Sequence, residues 1–427
     1  MPPHARVLVV LPMYGGSLPV GRYCVRALAE LGHSVEVFEA PAFHGAFTAL
    51  KGLRVTTDRL EYLENAFLQV VSQAVLAKVE TFRPDLVLSM AQAPLSRQAL
   101  RRLARDGVAT AMWFVEDFRL FTYWRAFAPL YDVFAVIQKE PFLDELERAG
   151  VRNTLYLPLA ADPEFHLPLD LGPVERRKYG SDVSFLGAGY ANRRLAFRLL
   201  AHLDFAIWGS DWDGDDVLAQ RVRRGGERIA PEEAVKIFNA TAVNLNLHSS
   251  VRASPPVAPG DFVNPRTFEL AMCGAFQLVD RRELLPELFA DDELVTFTSM
   301  EELLERIEYF LARPEERAVW AAKARERALA EHTYVHRMTA LIEFTASRLG
   351  SEAKPWPAPR GEASALAELP GDLGPEIARL LDDLGLPADA GFQDLVWAVR
   401  RRSGVLDDLE TAVLFLDEWR KQYGITE

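Results

Sequence analysis

The stretch Phe262-Val-Asn-Pro-Arg-Thr-Phe-Glu-Leu-Ala-Met-Cys-Gly-Ala-Phe-Gln-Leu-Val-Asp280 decides the fold class. Pro265 stands where a first-turn proline is tolerated, Asn264 before it is a capping residue, and Leu270, Ala271 and Met272 supply a buried face. Gly274 lets the chain turn, and an apolar strand over 275–279 follows at once. A helix that runs directly into a buried strand is one unit of an α/β sheet. Helix N-termini in such sheets attract anions, and Arg266 adds a planar fork of donors suited to phosphate. Glu269 can accept from a pair of sugar hydroxyls. Asn264, Arg266, Thr267 and Glu269 are therefore candidate ligands for a nucleoside diphosphate.

The same alternation runs outward from this unit. Strands are expected over 6–11, 34–38, 86–89, 110–114 and 133–137, with helices over 19–31, 58–82 and 96–106. A second series carries strands over 182–186, 205–208, 242–247 and 275–280, with helices over 192–203, 231–239 and 300–312 and helical residues over 314–349. Short buried runs alternating with helices imply α/β architecture, two Rossmann-like, doubly wound parallel sheets facing a cleft. The apolar, proline-bearing run 167–173 reads as a connector. The expected organisation is an N-terminal domain over 1–166, a second over 174–349, a proline-rich linker over 350–373 and a helical tail over 374–427. Leu406, Leu409, Val413, Leu414, Leu416 and Trp419 give the tail an amphipathic face. Docking of that face on the body is favoured over a homodimer contact.

A chain of 427 residues, 49% of them hydrophobic, is long enough for two cores. A net charge of -13 argues against a general nucleic-acid binder. No apolar run reaches membrane-spanning length, and the first residues lead into a strand without a signal-peptide core, so a cytoplasmic protein is expected. Cys24 and Cys273 both fall in apolar helical stretches and read as buried thiols, not as a disulfide or metal pair. Asp211-Trp-Asp213 lies in an acidic surface stretch, and no metal site is expected.

Three further segments carry candidate chemistry. In Pro12-Met-Tyr-Gly-Gly-Ser17, Gly15 and Gly16 permit close backbone approach to a phosphate or sugar, although a tight turn uses glycine equally well. In Phe185-Leu-Gly-Ala-Gly-Tyr-Ala-Asn-Arg-Arg194, Gly187 and Gly189 open the backbone, Tyr190 is a candidate donor contact, and Arg193 or Arg194 can neutralise a diphosphate, Arg193 being the one chosen. Trp113-Phe-Val-Glu-Asp-Phe-Arg119 sets Asp117 and Glu116 at a strand end, where a carboxylate could deprotonate a hydroxyl or simply cap the next helix. Asp117 is the first choice of base and Glu116 the second. His248, at the exit of the 242–247 strand, is a third candidate for proton transfer.

Asn-x-Arg-x-Phe-Glu followed by Cys-Gly-Ala resembles the nucleotide-sugar segment of GT-B glycosyltransferases, particularly the CgeB-like, spore-maturation branch with its glycosyltransferase-4-like C-terminal domain. Arg313-Pro-Glu-Glu-Arg317 and His332-Thr-Tyr-Val-His-Arg337 follow in that family's order. The likeness is good over about 180–349 and architectural over 5–165. It implies a cytoplasmic bacterial hexosyltransferase of GT-B fold that moves a sugar from a nucleotide-diphospho-sugar donor to a glycan, protein or small-molecule acceptor. The donor would bind through the second domain, with no metal and no further cofactor. The two rivals are a catalytically inactive GT-B scaffold and a nucleotide-sugar epimerase. No lysine follows Arg193 at close spacing, a departure from the Arg and Lys pair often found on the donor diphosphate in retaining members.

Overall fold

The computed structural model describes residues 4–349, 373–388 and 390–423. The linker expected over 350–373 falls almost wholly outside them. Two parallel sheets organise the rest. The first contains β1 (Arg6–Val10), β2 (Ser34–Phe38), β3 (Leu86–Met90), β4 (Ala109–Phe114), β5 (Val133–Val136) and β6 (Thr154–Tyr156) in the order β2-β1-β3-β4-β5-β6. Its helices are α1 (Ser17–Glu30), α2 (His44–Lys51), α3 (Thr57–Phe82), α4 (Arg97–Arg105), α5 (Trp124–Phe127) and α6 (Phe142–Arg148).

The second sheet contains β7 (Ser181–Leu186), β8 (Phe205–Trp208), β9 (Thr241–Asn246), β10 (Gln277–Asp280) and β11 (Val295–Phe297), ordered β11-β10-β9-β7-β8. Around it lie α7 (Pro173–Tyr179), α8 (Ala191–Arg198), α9 (Asp216–Ala219), α10 (Pro231–Ala240), α11 (Pro265–Met272), α12 (Met300–Leu311), α13 (Pro314–Glu331) and α14 (Tyr334–Leu349). The tail adds α15 (Leu373–Asp383), α16 (Phe392–Arg401) and α17 (Asp408–Tyr423). All strand pairs are parallel.

Strand periodicity divides the core. Val7 and Val9 of β1 join one hydrophobic cluster, while Leu8 and Val10 join another on the opposite face. The first of these clusters does not stop at the sheet. It continues through Phe268 and Met272 of α11 and Leu285 into Tyr334, Met338, Leu341 and Ile342 of α14. The last helix of the second series therefore returns to the first sheet. Arg337 fixes that crossing, donating from Nε to the carbonyl of Pro158 at 2.7 Å and from Nη2 to that of Leu159 at 3.1 Å.

Sequence and structure differ in a few places. The run read as a connector ends in a helix, α7, started by Pro173 at its first position. The helical stretch 314–349 is broken at His332 into α13 and α14. The helix expected over 192–203 closes at Arg198, and β6 and β11, three residues each, were not foreseen.

The tail docks on the body. Asp394 of α16 is buried, pairs with Arg6, and accepts from Ser34 Oγ at 2.8 Å. Trp397 lies edge-on to Phe82 at 5.1 Å and donates from Nε1 to Glu36 at 3.1 Å. Arg6 and Ser34 open their strands, so the tail occupies the edge opposite the carboxyl ends, where open sheets bind ligands.

Candidate active site

Each sheet has one place where successive connections leave in opposite directions, the position at which open α/β sheets form a ligand crevice. In the first sheet it lies between β1 and β3; in the second, between β7 and β9. Most of the residues singled out from sequence fall in the loops that leave these strands.

In the second half, Asn264 caps α11 by accepting the Thr267 N–H at 3.1 Å, as expected. Its side-chain amide donates to Asn246 Oδ1 at 2.7 Å, tying the cap to the end of β9. Thr267 is fully buried and accepts from Asn246 at 2.9 Å, so it supports the first turn from below. Arg266 lies over the Phe238 ring at 4.6 Å and pairs with Glu269 at 2.7 Å. Both are partly exposed, with side-chain exposures of 21% and 14%, so this pair can meet a ligand. His166 Nε2 stands 4.0 Å from the other Glu269 oxygen.

The loop after β7 is tied to the loop after β9. Arg193 is buried and donates to the carbonyls of Leu247 at 2.9 Å and Ala188 at 3.0 Å, between the rings of Phe185 and Tyr190. Burial brings its pKa down to about 10, which leaves it charged at neutral pH. Arg194 is spent on the carbonyls of Gly189, Asp213 and Asp211. A Cβ at Gly187 would come within 2.9 Å of the Phe185 ring, so its small size serves packing under the loop. Tyr190, at the N-cap of α8, is half-buried.

His248 is enclosed. Its Nδ1 lies 2.6 Å from Asp280, and its Nε2 accepts the backbone N–H of Asn264 at 2.9 Å. Both ring nitrogens are thus taken and the side chain has no exposed surface, so the ring offers no free nitrogen for proton transfer, contrary to the role considered for it from sequence. Burial pushes its pKa below the ordinary value despite the neighbouring carboxylate. Burial opposes ionisation of Asp280 too, yet His248, Arg282 and a backbone N–H hold its carboxyl below the usual range. The pair is a neutral imidazole on a carboxylate.

In the first half, Gly15 has φ +105, a conformation that side chains disfavour, and Gly16 begins α1 with open space around it. Asp117 accepts the Arg119 N–H at 2.9 Å, and its carbonyl accepts from Leu120 and Phe121, so it organises a turn. Glu116 instead receives the Gln92 amide and the Tyr123 hydroxyl, the latter at 2.8 Å. Burial raises its pKa above the ordinary value, against the opposing effect of those two donors. The sequence reading did not name Gln92 or Tyr123; Gln92, with φ +64 two residues after β3, sits across the switch point from Gly15.

The two halves meet across this crevice. Gln138 Nε2 donates to Asp261 at 2.8 Å with Arg119 3.4 Å away, and Lys139 pairs with Glu287 at 2.5 Å. On the other side Arg228 donates to the carbonyl of Gly15 at 2.8 Å.

Two parallel α/β sheets with facing switch points and a returning last helix define the GT-B fold of glycosyltransferases. The chain is a GT-B protein, CgeB-like in sequence, and residues 192–343 match the family described as "Glycosyl transferase-like". It is 24% identical over 258 residues to the spore protein CgeB of Bacillus subtilis (strain 168), an alignment spanning 58% of this chain and 78% of that protein. Among solved structures it is similar to Anabaena HepE in complex with UDP and glucose, with TM-score 0.56, 14% identity, and coverage of 81% of this chain and all (100%) of that one. It is also similar to sucrose-phosphate synthase from Thermosynechococcus elongatus, with TM-score 0.52, 14% identity, and coverage of 79% and 97%. Among the described residues, no helix is long and apolar enough to cross a membrane.

Proposed function

We propose that the chain transfers a hexosyl group from a nucleoside-diphospho-sugar to an acceptor hydroxyl, without a metal ion, in a cytoplasmic setting. The observation that carries this reading is the first turn of α11. A capped helix N-terminus presents Arg266 and Glu269, partly exposed and paired, at the second sheet's switch point. The helix end favours negative charge, and Arg266 supplies a charge-assisted donor to the diphosphate. When the phosphate draws Arg266, Glu269 is released to accept from a ribose or sugar hydroxyl pair. That HepE binds UDP and UDP-glucose on the same fold supports this choice of ligand.

Arg193 neutralises charge from behind the loop, since its donors are engaged by carbonyls. Of the two carboxylates after β4, Glu116 is the better base. Its burial makes it more basic than an ordinary carboxylate, and it faces the Gly15 side of the crevice through Gln92, whereas Asp117 holds a turn. Stabilisation of the departing diphosphate supplies the rest of the catalysis.

The test is calorimetric titration with UDP, GDP and ADP and their sugars, in EDTA and in added magnesium, on wild type and Arg266→Ala. One nucleotide should bind equally with and without metal, and the substitution should weaken it about 10- to 100-fold, the size of a charge-assisted hydrogen bond. A folded protein that binds none of the three would overturn the reading.

A further inference from the structure

The loop between β9 and α11, residues 247–264, ends at the helix that carries Arg266 and Glu269, and its own hydrogen bonds decide where that helix begins. Buried Asn192 and Arg193 tie it to the loop after β7, and three more buried side chains, Asp280, Arg282 and His248, hold it to β10 and α11. Asp280, at the end of β10, accepts both the backbone N–H of His248 at 2.9 Å and its Nδ1 at 2.6 Å. Its other oxygen meets Arg282 at 3.2 Å. Arg282 then donates to the carbonyls of Ala258 at 3.0 Å and Phe262 at 3.2 Å. The loop wraps this guanidinium so closely that a Cβ on Gly260 would stand 1.8 Å from Nη2. His248 Nε2 closes the circuit on the Asn264 N–H.

An imidazole that accepts at Nε2 must carry its proton at Nδ1, the atom facing Asp280. Protonation would turn Nε2 into a donor opposed to the Asn264 N–H. We propose that His248, as the neutral Nδ1–H tautomer, is a positioning residue that sets the start of α11 and thereby the Arg266–Glu269 donor pair. The charged groups around the ring are Asp280, Arg282 and, further off, Arg193; the Phe262 ring meets it edge-on at 5.4 Å. The carboxylate alone would favour the imidazolium, while the two arginines and burial oppose it. When the loop opens, His248 returns to an ordinary pKa near about 6.5, so acid favours the open loop. The consequence for donor binding rests on the reading given above; the consequence for the helix start does not.

Two measurements on the full chain test this. Amide exchange protection over 262–267 is followed from pH 7.5 to 5.0 in wild type, His248→Gln and His248→Asn. Gln places an acceptor where Nε2 stands but does not titrate; Asn keeps only the donor toward Asp280. Wild-type protection should fall by up to about tenfold per pH unit below 6.5, Gln should be flat, and Asn should be weak throughout. Calorimetry with UDP, GDP and ADP over the same range should show the wild-type affinity falling more steeply with acid than that of His248→Gln. Wild-type protection that is flat against the rest of the chain overturns the proposal even if neither variant folds. Acid-dependent opening without binding of any nucleotide would keep the positioning role and remove the donor-site reading.

Discussion

The two glycine-bearing loops that leave the switch points of the two sheets are built on opposite terms. The first, after β1, holds Tyr14 with 47% of its surface exposed, Gly15 in a left-handed conformation and Gly16 in open space. Asn192 and Arg193 bind the loop after β7 to the loop after β9, and Asn246, His248, Asp280 and Arg282 hold the latter against α11 and the end of β10, all six buried and hydrogen-bonded. A buried polar network whose members are satisfied makes a rigid, single arrangement, whereas an exposed loop with few ties can adapt. On the proposed function, the donor half is thus organised before any ligand arrives, and the acceptor half is left to fit its partner.

The largest break of this contrast should come from the chemistry itself. Glu116→Gln removes the proposed base while keeping the shape of the side chain and one of its two acceptors beside Gln92 and Tyr123. Turnover should fall about 10²- to 10⁴-fold with nucleotide affinity unchanged. In wild type, kcat/KM should rise with pH through an apparent pKa above the usual carboxylate range, because burial raises Glu116 and only its ionised form takes a proton. The substitution should abolish that rise. A variant with full turnover would hand the role to Asp117 or to no side chain at all.

Next in size is the rigid half. Asp280→Ala leaves Arg282 and the His248 ring buried without their carboxylate, and breaking such a pair costs about 3–5 kcal/mol. Chemical denaturation would read this as a lowered midpoint. A loss under about 1 kcal/mol would show that water enters easily and that the network is not rigid, which would erase the contrast between the two halves.

Much of this architecture was legible in the chain and some was not, for reasons that differ by residue. The strands β1, β2 and β8 announced themselves because each is a continuous apolar or alternating run between turn residues. Asn264 could be read as a cap because capping is local, decided within three residues. His248 could be noticed but not interpreted. Its partner Asp280 lies 32 residues away, brought alongside by the pairing of Val279 with Asn246. The one available signal was an acidic residue closing a buried strand, and sheet order was needed to use it. Arg193 looked like a phosphate ligand because a Gly-to-Arg turn has that composition; its burial and its carbonyl partners depend on the fold. The strands β6 and β11 are too short to carry a period.

The smallest predicted effect is the most direct gauge of how loosely the first half is held. Arg228 is exposed, and its bond to the Gly15 carbonyl ties the open loop to the second half. Arg228→Ala should cost under about 1 kcal/mol of stability, as exposed polar contacts do. Nucleotide affinity should barely change, because α11 is held by the buried network and not by this contact. What should change is amide exchange over 12–17, faster in the variant while 262–267 stays as protected as before. If both segments loosened together, the two halves would form a single mechanical unit, and the adaptable acceptor side would have to be given up.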